Sequence, residues 1–158
     1  MRLDRDIGAL VIFTALVFAV AWIASAVTLP AIPGWYAELS KPSFTPPNQV
    51  FGPVWSILYL MMAVAGWLVW RSRGPARNRA LALFGVQLVL NLAWSVLFFG
   101  LKLIGPALIE IFVLLAAISG TAVAAYRISK AAALLLVPYL AWVGYAAALN
   151  AAIWRLNS

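Results

Sequence analysis

The stretch that decides the fold covers residues 30–59 and reads PAIPGWYAELSKPSFTPPNQVFGPVWSILY. It contains six of the nine prolines and two of the eight tryptophans. Because proline lacks a backbone N–H and interrupts helices, the first part predicts a stiff connection. The last part, from Gly52, predicts the start of a hydrophobic helix, with Pro53 in its first turn, where a missing donor costs nothing. If the chain recognises a small molecule, this stretch carries much of the chemistry.

The sequence outside this stretch consists mostly of long apolar runs. Hydrophobic residues make up 66% of the 158 residues and charged residues only 9%, whereas a soluble domain carries about 25% charged residues. The composition therefore argues against a soluble protein and indicates a polytopic membrane protein. The runs are continuous rather than alternating, which favours transmembrane helices over a β-barrel.

The apolar runs predict an all-α membrane protein, a five-transmembrane-helix bundle in one domain over residues 1–158. About 20 residues of helix cross the hydrocarbon core of a bilayer, and each run is at least about that long. The predicted spans are residues 7–29, 52–70, 79–99, 105–126 and 130–154, with a long loop over residues 30–51.

Residue types that are missing exclude several kinds of site. The chain has no cysteine and no histidine, which excludes disulfides, thiolate metal sites, histidine-ligated haem and a histidine general base. We therefore expect no metal site. The net charge of +7 comes from basic residues between the apolar runs, where they indicate topology and lipid contact rather than nucleic-acid binding.

The distribution of Lys and Arg predicts the orientation in the membrane. Eight of these residues fall on the N-terminal side: Arg2, Arg5, Arg71, Arg73, Arg77, Arg79, Arg127 and Lys130. Three fall on the other side: Lys41, Lys102 and Arg155. The excess predicts a multi-pass protein of a bacterial cell membrane with a cytoplasmic N-terminus and residues 30–51 on the opposite side.

A few polar residues interrupt the predicted spans. Gln87 and Asn91 lie four residues apart on one helix face, which Trp94 continues, and Asn150 lies late in the fifth span. Glu110 is the only acidic residue inside a span. Such groups either orient a ligand in a cavity or connect helices through hydrogen bonds, and the sequence leaves both alternatives open.

Aromatic residues next to prolines suggest a binding wall. Trp55 and Tyr59 lie four residues apart near the start of the second span, and Trp142 follows Pro138 and Tyr139. Flat aromatic walls with a few polar groups suit a planar apolar ligand. Three other tryptophans near span ends are interpreted as interfacial belt residues: Trp22, Trp70 and Trp154.

These motifs together resemble the translocator protein / tryptophan-rich sensory protein family (TspO/MBR), and the chain is similar to a bacterial-type member from the first helix to Asn157. The matching stretches are Trp35-Tyr36, Leu39, Lys41-Pro42 and Pro46-Pro47; Phe51-Gly52-Pro53-Val54-Trp55 and Leu58-Tyr59; Gln87, Asn91 and Trp94-Ser95; and Val137-Pro138-Tyr139-Leu140-Ala141-Trp142 with Leu149-Asn150.

The resemblance implies a five-helix bundle, commonly a homodimer, that binds porphyrins such as protoporphyrin IX in a pocket under the first loop. It implies membrane lipid and porphyrin as partners, no obligatory cofactor, and roles for Trp55 and Trp142 in porphyrin breakdown as candidate catalytic residues. The positions similar to the family's pocket lining are Tyr36, Pro46, Phe51, Trp55, Tyr59, Asn91, Trp94, Phe98, Trp142 and Ala146. Phe44 and Gln49 replace tryptophans that are common in relatives.

Three functions are compatible with the sequence. The leading hypothesis is an integral membrane protein that binds a tetrapyrrole or a related hydrophobic ligand, with a regulatory or stress-sensing role. The alternatives are a transporter of porphyrins or other amphiphiles and a light-dependent porphyrin-degrading enzyme. For the enzyme, the ligand must supply the reactivity, because the residues offer no acid–base or nucleophilic site.

Overall fold

The computed structural model describes residues 2–158, with side chains from Asp4 onward. The five α-helices are α1 (Arg2–Thr28), α2 (Asn48–Arg71), α3 (Arg77–Ser95), α4 (Ile104–Tyr126) and α5 (Lys130–Asn157). All five helical segments are long and apolar enough to cross a membrane. The prediction of an all-α membrane protein built as a five-helix bundle is confirmed.

The connection after the first span is more helical than the prolines predict. Helix α1 continues into a 3₁₀ turn (Leu29–Ala31) and a π turn (Ile32–Tyr36), each with proline near its start, where the lost N–H is tolerated. Within the π turn, Gly34 leaves helical geometry, with φ −105° and ψ −108°. The irregular loop is therefore shorter than the predicted residues 30–51.

Helix α2 begins at Asn48 rather than at the predicted Gly52. Pro47 precedes it in extended geometry, with φ −57° and ψ 142°, which sets the start of the helix. As a result Pro53 lies inside the helix instead of in its first turn. Because a proline inside a helix removes one backbone hydrogen bond, it exposes a carbonyl in the turn before it.

Two sets of helix–helix contacts build the bundle. Helix α4 packs between α3 and α5, while α2 packs against both α1 and α5. The core between them includes Met62, Ile118 and Leu136, all of which are almost completely buried. A π turn (Val96–Gly100) ends α3, and Lys102 takes the left-handed conformation, with φ 58°, in the short turn to α4.

Helices α1 and α2 are held together at one end of the bundle. A Cβ atom on Gly66 would lie 2.7 Å from the ring of Phe13, so the two backbones approach closely there. The Trp67 indole Nε1 donates to the backbone oxygen of Asp6 at 2.8 Å, and Arg71 Nε lies 3.2 Å from the Asp6 carboxylate. We call this region, where the N-terminal half of α1 meets the C-terminal half of α2, the closed end.

Candidate functional site

At the opposite end of the bundle, α1 and α2 enclose a cavity instead of packing together. Its volume is about 600 Å³, within the roughly 300–1,000 Å³ of small-molecule sites. The residues that line it are Phe18, Ala21, Trp22, Ala24, Ser25, Thr28, Leu29, Ile32, Tyr36, Asn48, Gln49, Phe51, Gly52, Trp55, Ser56, Tyr59, Trp94, Ser95, Phe99, Trp142 and Ala146. We call this region the open end.

One wall of the cavity is a series of aromatic rings on α2 and α5. The rings of Trp55 and Tyr59 lie 5.4 Å apart at a tilt of 31°. Phe51 meets Trp142 edge to face at 6.0 Å, and Trp55 meets Tyr139 in the same way at 6.3 Å. Edge-to-face and tilted contacts hold each ring at a fixed angle, so this wall is built before any ligand arrives.

A second aromatic group on α3 and its π turn contributes to the cavity wall. Trp94 stacks on Phe98 at 5.2 Å, with 21° between the ring planes. Phe98 in turn meets Tyr36 at 6.3 Å and Phe99 at 4.9 Å. The π turn that ends α3 brings Phe98 and Phe99 together with Trp94, so a local change of helix geometry builds the wall.

Asn91 fixes the position of the Tyr59 side chain. The Tyr59 hydroxyl donates to Asn91 Oδ1 at 2.8 Å, and Asn91 Nδ2 donates to the Tyr139 hydroxyl at 3.1 Å. All three side chains are buried. The amide thus connects α2, α3 and α5 and does not line the cavity itself, which supports the helix-connecting alternative for Asn91.

Asn150 does the same for the Trp94 side chain. Its Oδ1 accepts from Trp94 Nε1 at 3.1 Å, and its Nδ2 donates to the backbone oxygen of Ile104, the first residue of α4, at 3.0 Å. These two hydrogen bonds join α3, α4 and α5 through one buried amide. Asn150 therefore orients a cavity wall from behind it.

Gln87 and Glu110 do not belong to the cavity. Gln87 is fully buried, and both amide atoms of its side chain have no hydrogen-bond partner among the described residues. Both carboxylate oxygens of Glu110 are likewise buried without a partner in that part of the chain. Neither residue lines the cavity, so neither orients a ligand there.

The loop between α1 and α2 is folded over this end and is internally braced. Lys41 Nζ donates to three backbone oxygens at the end of the helical segment, those of Tyr36, Ala37 and Leu39, at 2.7, 3.1 and 2.9 Å. The same ammonium lies 5.0 Å from the centre of the Tyr36 ring. One lysine thus satisfies carbonyls that the helix end leaves free.

Two contacts attach the loop to α5. Ser40 N donates to Asn157 Oδ1 at 3.0 Å, and Asn157 Nδ2 donates back to Ser40 O at 2.9 Å. The Tyr145 hydroxyl donates to the backbone oxygen of Phe44, and the two rings meet edge to face at 6.2 Å. Phe44 therefore packs on α5 instead of facing the cavity.

Most residues predicted for the pocket line the cavity. The residues that do so are Tyr36, Phe51, Trp55, Tyr59, Trp94, Trp142 and Ala146. Three predicted residues do not. Asn91 and Phe98 lie behind Tyr59 and Trp94, and Pro46 lies in the loop outside the cavity. Asn91 is occupied by two tyrosine hydroxyls and Phe98 is covered by Trp94, which explains why neither reaches the cavity.

The sequence reasoning missed the wall that α1 contributes. Trp22 is interpreted from sequence as a belt residue, yet it lines the cavity and is 74% exposed, which puts it at the rim. The spacing of small and polar residues along α1 indicates this wall in the sequence. Ala21, Ser25 and Thr28 are separated by four and three residues and share one helix face.

The cavity carries no charged group. None of the described residues that line it is Asp, Glu, Lys or Arg. Its polar groups are serine, threonine and tyrosine hydroxyls, indole N–H groups and the exposed amides of Asn48 and Gln49 at the start of α2. Over residues 2–158 there is also no cluster of three potential metal-ligating side chains. The arrangement can stack and enclose an apolar planar molecule.

The fold and the cavity define a polytopic helical membrane protein with an internal aromatic cavity. The model of the TspO/MBR family matches residues 13–155. The chain is similar to the translocator protein of Homo sapiens, 44% identical over 126 residues, which cover 78% of this chain and 75% of that protein. It is similar to the tryptophan-rich protein TspO of Archaeoglobus fulgidus, 42% identical over 142 residues and about nine-tenths of each chain.

A third relative matches along almost its whole length. The tryptophan-rich protein TspO of Chlorobaculum tepidum is 39% identical over 162 aligned residues, which cover 98% of this chain and 99% of that protein. The chain therefore belongs to the TspO/MBR family and is an integral, multi-pass membrane protein.

Proposed function

We propose that this protein binds a planar, largely apolar amphiphile of the porphyrin class, such as protoporphyrin IX, at the open end of the bundle. The observation that carries the proposal is an uncharged cavity of about 600 Å³ whose lining includes Trp55, Tyr59, Trp94 and Trp142. Aromatic faces stabilise a stacked ring system mainly through apolar burial and dispersion. A regulatory or sensing role fits the name of one relative, the tryptophan-rich sensory protein of Cereibacter sphaeroides.

The distribution of polar groups predicts how a porphyrin is oriented. A carboxylate buried without a partner costs several kcal/mol or more, and the cavity offers it no cation. The carboxylates of the ligand therefore stay at the rim, near the exposed amides of Asn48 and Gln49. The apolar macrocycle enters first and reaches Trp55.

The rim also indicates the route by which a ligand arrives. Between α1 and α2 it includes Trp22 and Leu29, which are 74% and 64% exposed on a lipid-facing helix. On α2 it includes Gly52, whose missing side chain leaves open space. The loop side, in contrast, is attached to α5 through Asn157. We therefore place ligand entry in the bilayer, between α1 and α2.

The binding proposal is tested by titrating protoporphyrin IX against purified protein while following tryptophan fluorescence. A double variant, Trp55→Phe with Trp142→Phe, is expected to bind about five- to 150-fold more weakly, because each lost aromatic contact is worth about 0.5–1.5 kcal/mol. The matched control is Trp70→Phe with Trp154→Phe, which removes two tryptophans that do not line the cavity. Unchanged affinity in the first double variant would remove these residues from the site.

A second candidate function is light-driven oxidation of the bound porphyrin, with dioxygen as the oxidant. It is favoured by one observation: Trp55 and Trp142, the candidate catalytic residues, line the same cavity and can both face one ligand. Illumination of the complex followed by product analysis separates it from passive binding. If the porphyrin is destroyed as fast in the double Phe variant as in the native protein, the tryptophans take no part.

We further propose that the protein lies in a bacterial cell membrane with its N-terminus in the cytoplasm. The closed end carries Arg5, Arg71, Arg73 and Arg77, which fits the retention of basic residues on that side. The open end and its loop then face the opposite side. In a chain without native cysteine, Ser43→Cys on the exposed loop is expected to react with an impermeant maleimide from outside intact cells. Reaction only after lysis would show that the loop faces the cytoplasm and that the proposed orientation is wrong.

A further inference from the structure

A second, smaller cavity lies at the closed end, remote from the aromatic one. Its volume is about 160 Å³. It is formed where the start of α1, the end of α2 and the start of α3 meet. The residues that line it are Arg5, Asp6, Trp70, Arg71, Ser72, Arg73 and Arg77. We call it the arginine cleft, because four guanidinium groups converge on a space the size of a small anion.

The described residues that line the arginine cleft carry more positive than negative charge, with four arginines and one aspartate. The one carboxylate of the lining, Asp6, lies 3.2 Å from Arg71. Within residues 4–158, neither Arg73 nor Arg77 forms a salt bridge with a carboxylate. The cleft therefore has a surplus of positive charge, and this charge is concentrated in a concave surface, where a potential is focused.

Two of the guanidinium groups are held in place by aromatic rings. Arg5 lies 5.7 Å from the centre of the Trp70 ring, and Arg71 lies 4.5 Å from that of Trp67. Cation–π contacts of this kind restrict the side chains without consuming their hydrogen-bond donors. The donors remain available to an anion, and less side-chain freedom is lost when it binds.

Arg77 is less exposed than the other three arginines of the cleft. Its Nε atom is buried and has no hydrogen-bond partner among the described residues. Buried donors in proteins are almost always paired, so an orphaned one needs an explanation. Arg77 is also the first residue of α3, and the residue before it, Ala76, provides no side-chain cap. The Arg77 N–H donates to the Gly74 oxygen at 3.2 Å, and the positive end of the α3 dipole adds to the potential at the cleft.

We propose that the arginine cleft binds a phosphate group, carried by an anionic lipid headgroup or by free phosphate. Guanidinium groups bind phosphate oxygens through paired, charge-assisted hydrogen bonds. The cleft lies at the ends of the membrane-spanning helices, at the level where headgroups lie. Basic residues that act only as topology signals need not converge on one cavity, whereas these four do. The site is independent of the porphyrin-class ligand.

The test compares Arg77 with Arg79, which lies two residues further along α3. Arg77→Gln removes a guanidinium that lines the cleft, and Arg79→Gln removes the same charge from an exposed position outside it. Each variant is placed in nanodiscs of phosphatidylcholine with or without phosphatidylglycerol. Bound lipid is counted by native mass spectrometry, and thermal stability is measured in both lipids. A parallel arm adds inorganic phosphate in phosphatidylcholine alone.

We expect phosphatidylglycerol to be retained by the native protein and by Arg79→Gln, and to be retained several-fold less by Arg77→Gln. Arg77→Lys keeps the charge but loses the forked donor set, so intermediate retention is expected. Equal losses in Arg77→Gln and Arg79→Gln would show a response to overall charge and overturn the site. If inorganic phosphate alone stabilises the protein with the same dependence on Arg77, free phosphate is the ligand and the lipid source is wrong.

A second variant keeps the test decisive if Arg77→Gln does not fold. Arg73→Gln changes an exposed cleft residue in the turn between α2 and α3, where the surrounding core is unaffected. It is expected to lower phosphatidylglycerol retention as well, while porphyrin binding stays unchanged. Retention equal to that of the native protein in Arg73→Gln and in Arg77→Lys would contradict the proposal.

Discussion

The closed end and the open end of the bundle are built from the same two helices and behave in opposite ways. At the closed end, α1 and α2 touch through Gly66 and Phe13 and are tied by Asp6 to Trp67 and Arg71. At the open end, the same pair separates around a cavity of about 600 Å³. A helix pair can thus anchor the fold at one end and leave space for a ligand at the other.

The difference follows from residue size and from the position of the prolines. At the closed end a glycine on α2 admits an aromatic ring of α1, which allows close approach of the backbones. At the open end Gly34 leaves helical geometry after α1, and Pro47 sets the start of α2. The closed half of the α1–α2 pair therefore stabilises the fold, and the open half leaves space for a ligand.

The largest expected effect is at the closed end. In Gly66→Val, the added Cβ alone would lie 2.7 Å from Phe13 and 2.8 Å from Phe84. Such overpacking costs about 1–3 kcal/mol. Unfolding in detergent, followed by circular dichroism, is expected to shift to lower temperature. Gly52→Val is the control, because a Cβ there meets nothing within 4 Å. Equal shifts of the unfolding temperature in Gly66→Val and Gly52→Val would show that the two ends do not differ in packing.

The next effect concerns the amide that connects three helices. Asn91→Leu leaves the Tyr59 and Tyr139 hydroxyls without their amide partner, and interhelical hydrogen bonds in membranes are worth about 0.6 kcal/mol on average and up to about 1.7. We expect a loss of stability in that range together with weaker porphyrin binding, since Tyr59 is then free to turn. Thermal unfolding measures the stability, and titration with protoporphyrin IX measures the affinity. Normal affinity would show that Asn91 has no part in shaping the site.

A kinetic effect tests the lateral opening. Gly52→Leu adds bulk at the rim between α1 and α2 and is expected to slow both association and dissociation of protoporphyrin several-fold, with little change in affinity. Gly85→Leu, at an exposed helical glycine with equally open space outside the cavity, should leave the rates as they are. Stopped-flow fluorescence gives both rates. Weaker affinity with unchanged association would place Gly52 in the binding wall.

The smallest effect is expected in the loop. Asn157→Ala removes the paired hydrogen bonds to Ser40, and because they are exposed, the loss is about 0.5 kcal/mol for each and is confined to the docking of the loop. Hydrogen–deuterium exchange should increase over residues 37–47, with the melting temperature unchanged. A global loss of stability would make this contact part of the core and not of a local attachment.

The sequence predicted the helix bundle and the aromatic residues of the cavity on α2 and α5, because both depend on patterns within single segments. Long apolar runs identify spans, and Trp55 and Tyr59 share a helix face through their spacing alone. The α1 wall was missed because Trp22 looks like any tryptophan near a span end, and only the separation of α1 from α2 shows which space it borders. The roles of Asn91 and Asn150 needed partners from other helices, which sequence spacing cannot identify.

The bounds of the loop were also only partly predictable. Pro30 and Pro33 suggested that the helix ends, yet both occupy early positions in tight turns, where proline is compatible with continued helical geometry. Conversely, Pro47 rather than Gly52 sets the start of α2. Local propensity marks where the chain can change direction, whereas the packing of neighbouring helices decides whether it does.

The most direct test of the account maps the ligand on the chain. A protoporphyrin derivative carrying a photoreactive diazirine is bound, irradiated and located by peptide mass spectrometry. We expect adducts on residues 18–32, 48–59 and 142–146, which line the open end, and their loss in the presence of excess protoporphyrin. Adducts concentrated around Phe13 and Gly66 at the closed end, or insensitive to competition, would contradict the assignment of the open end as the binding site.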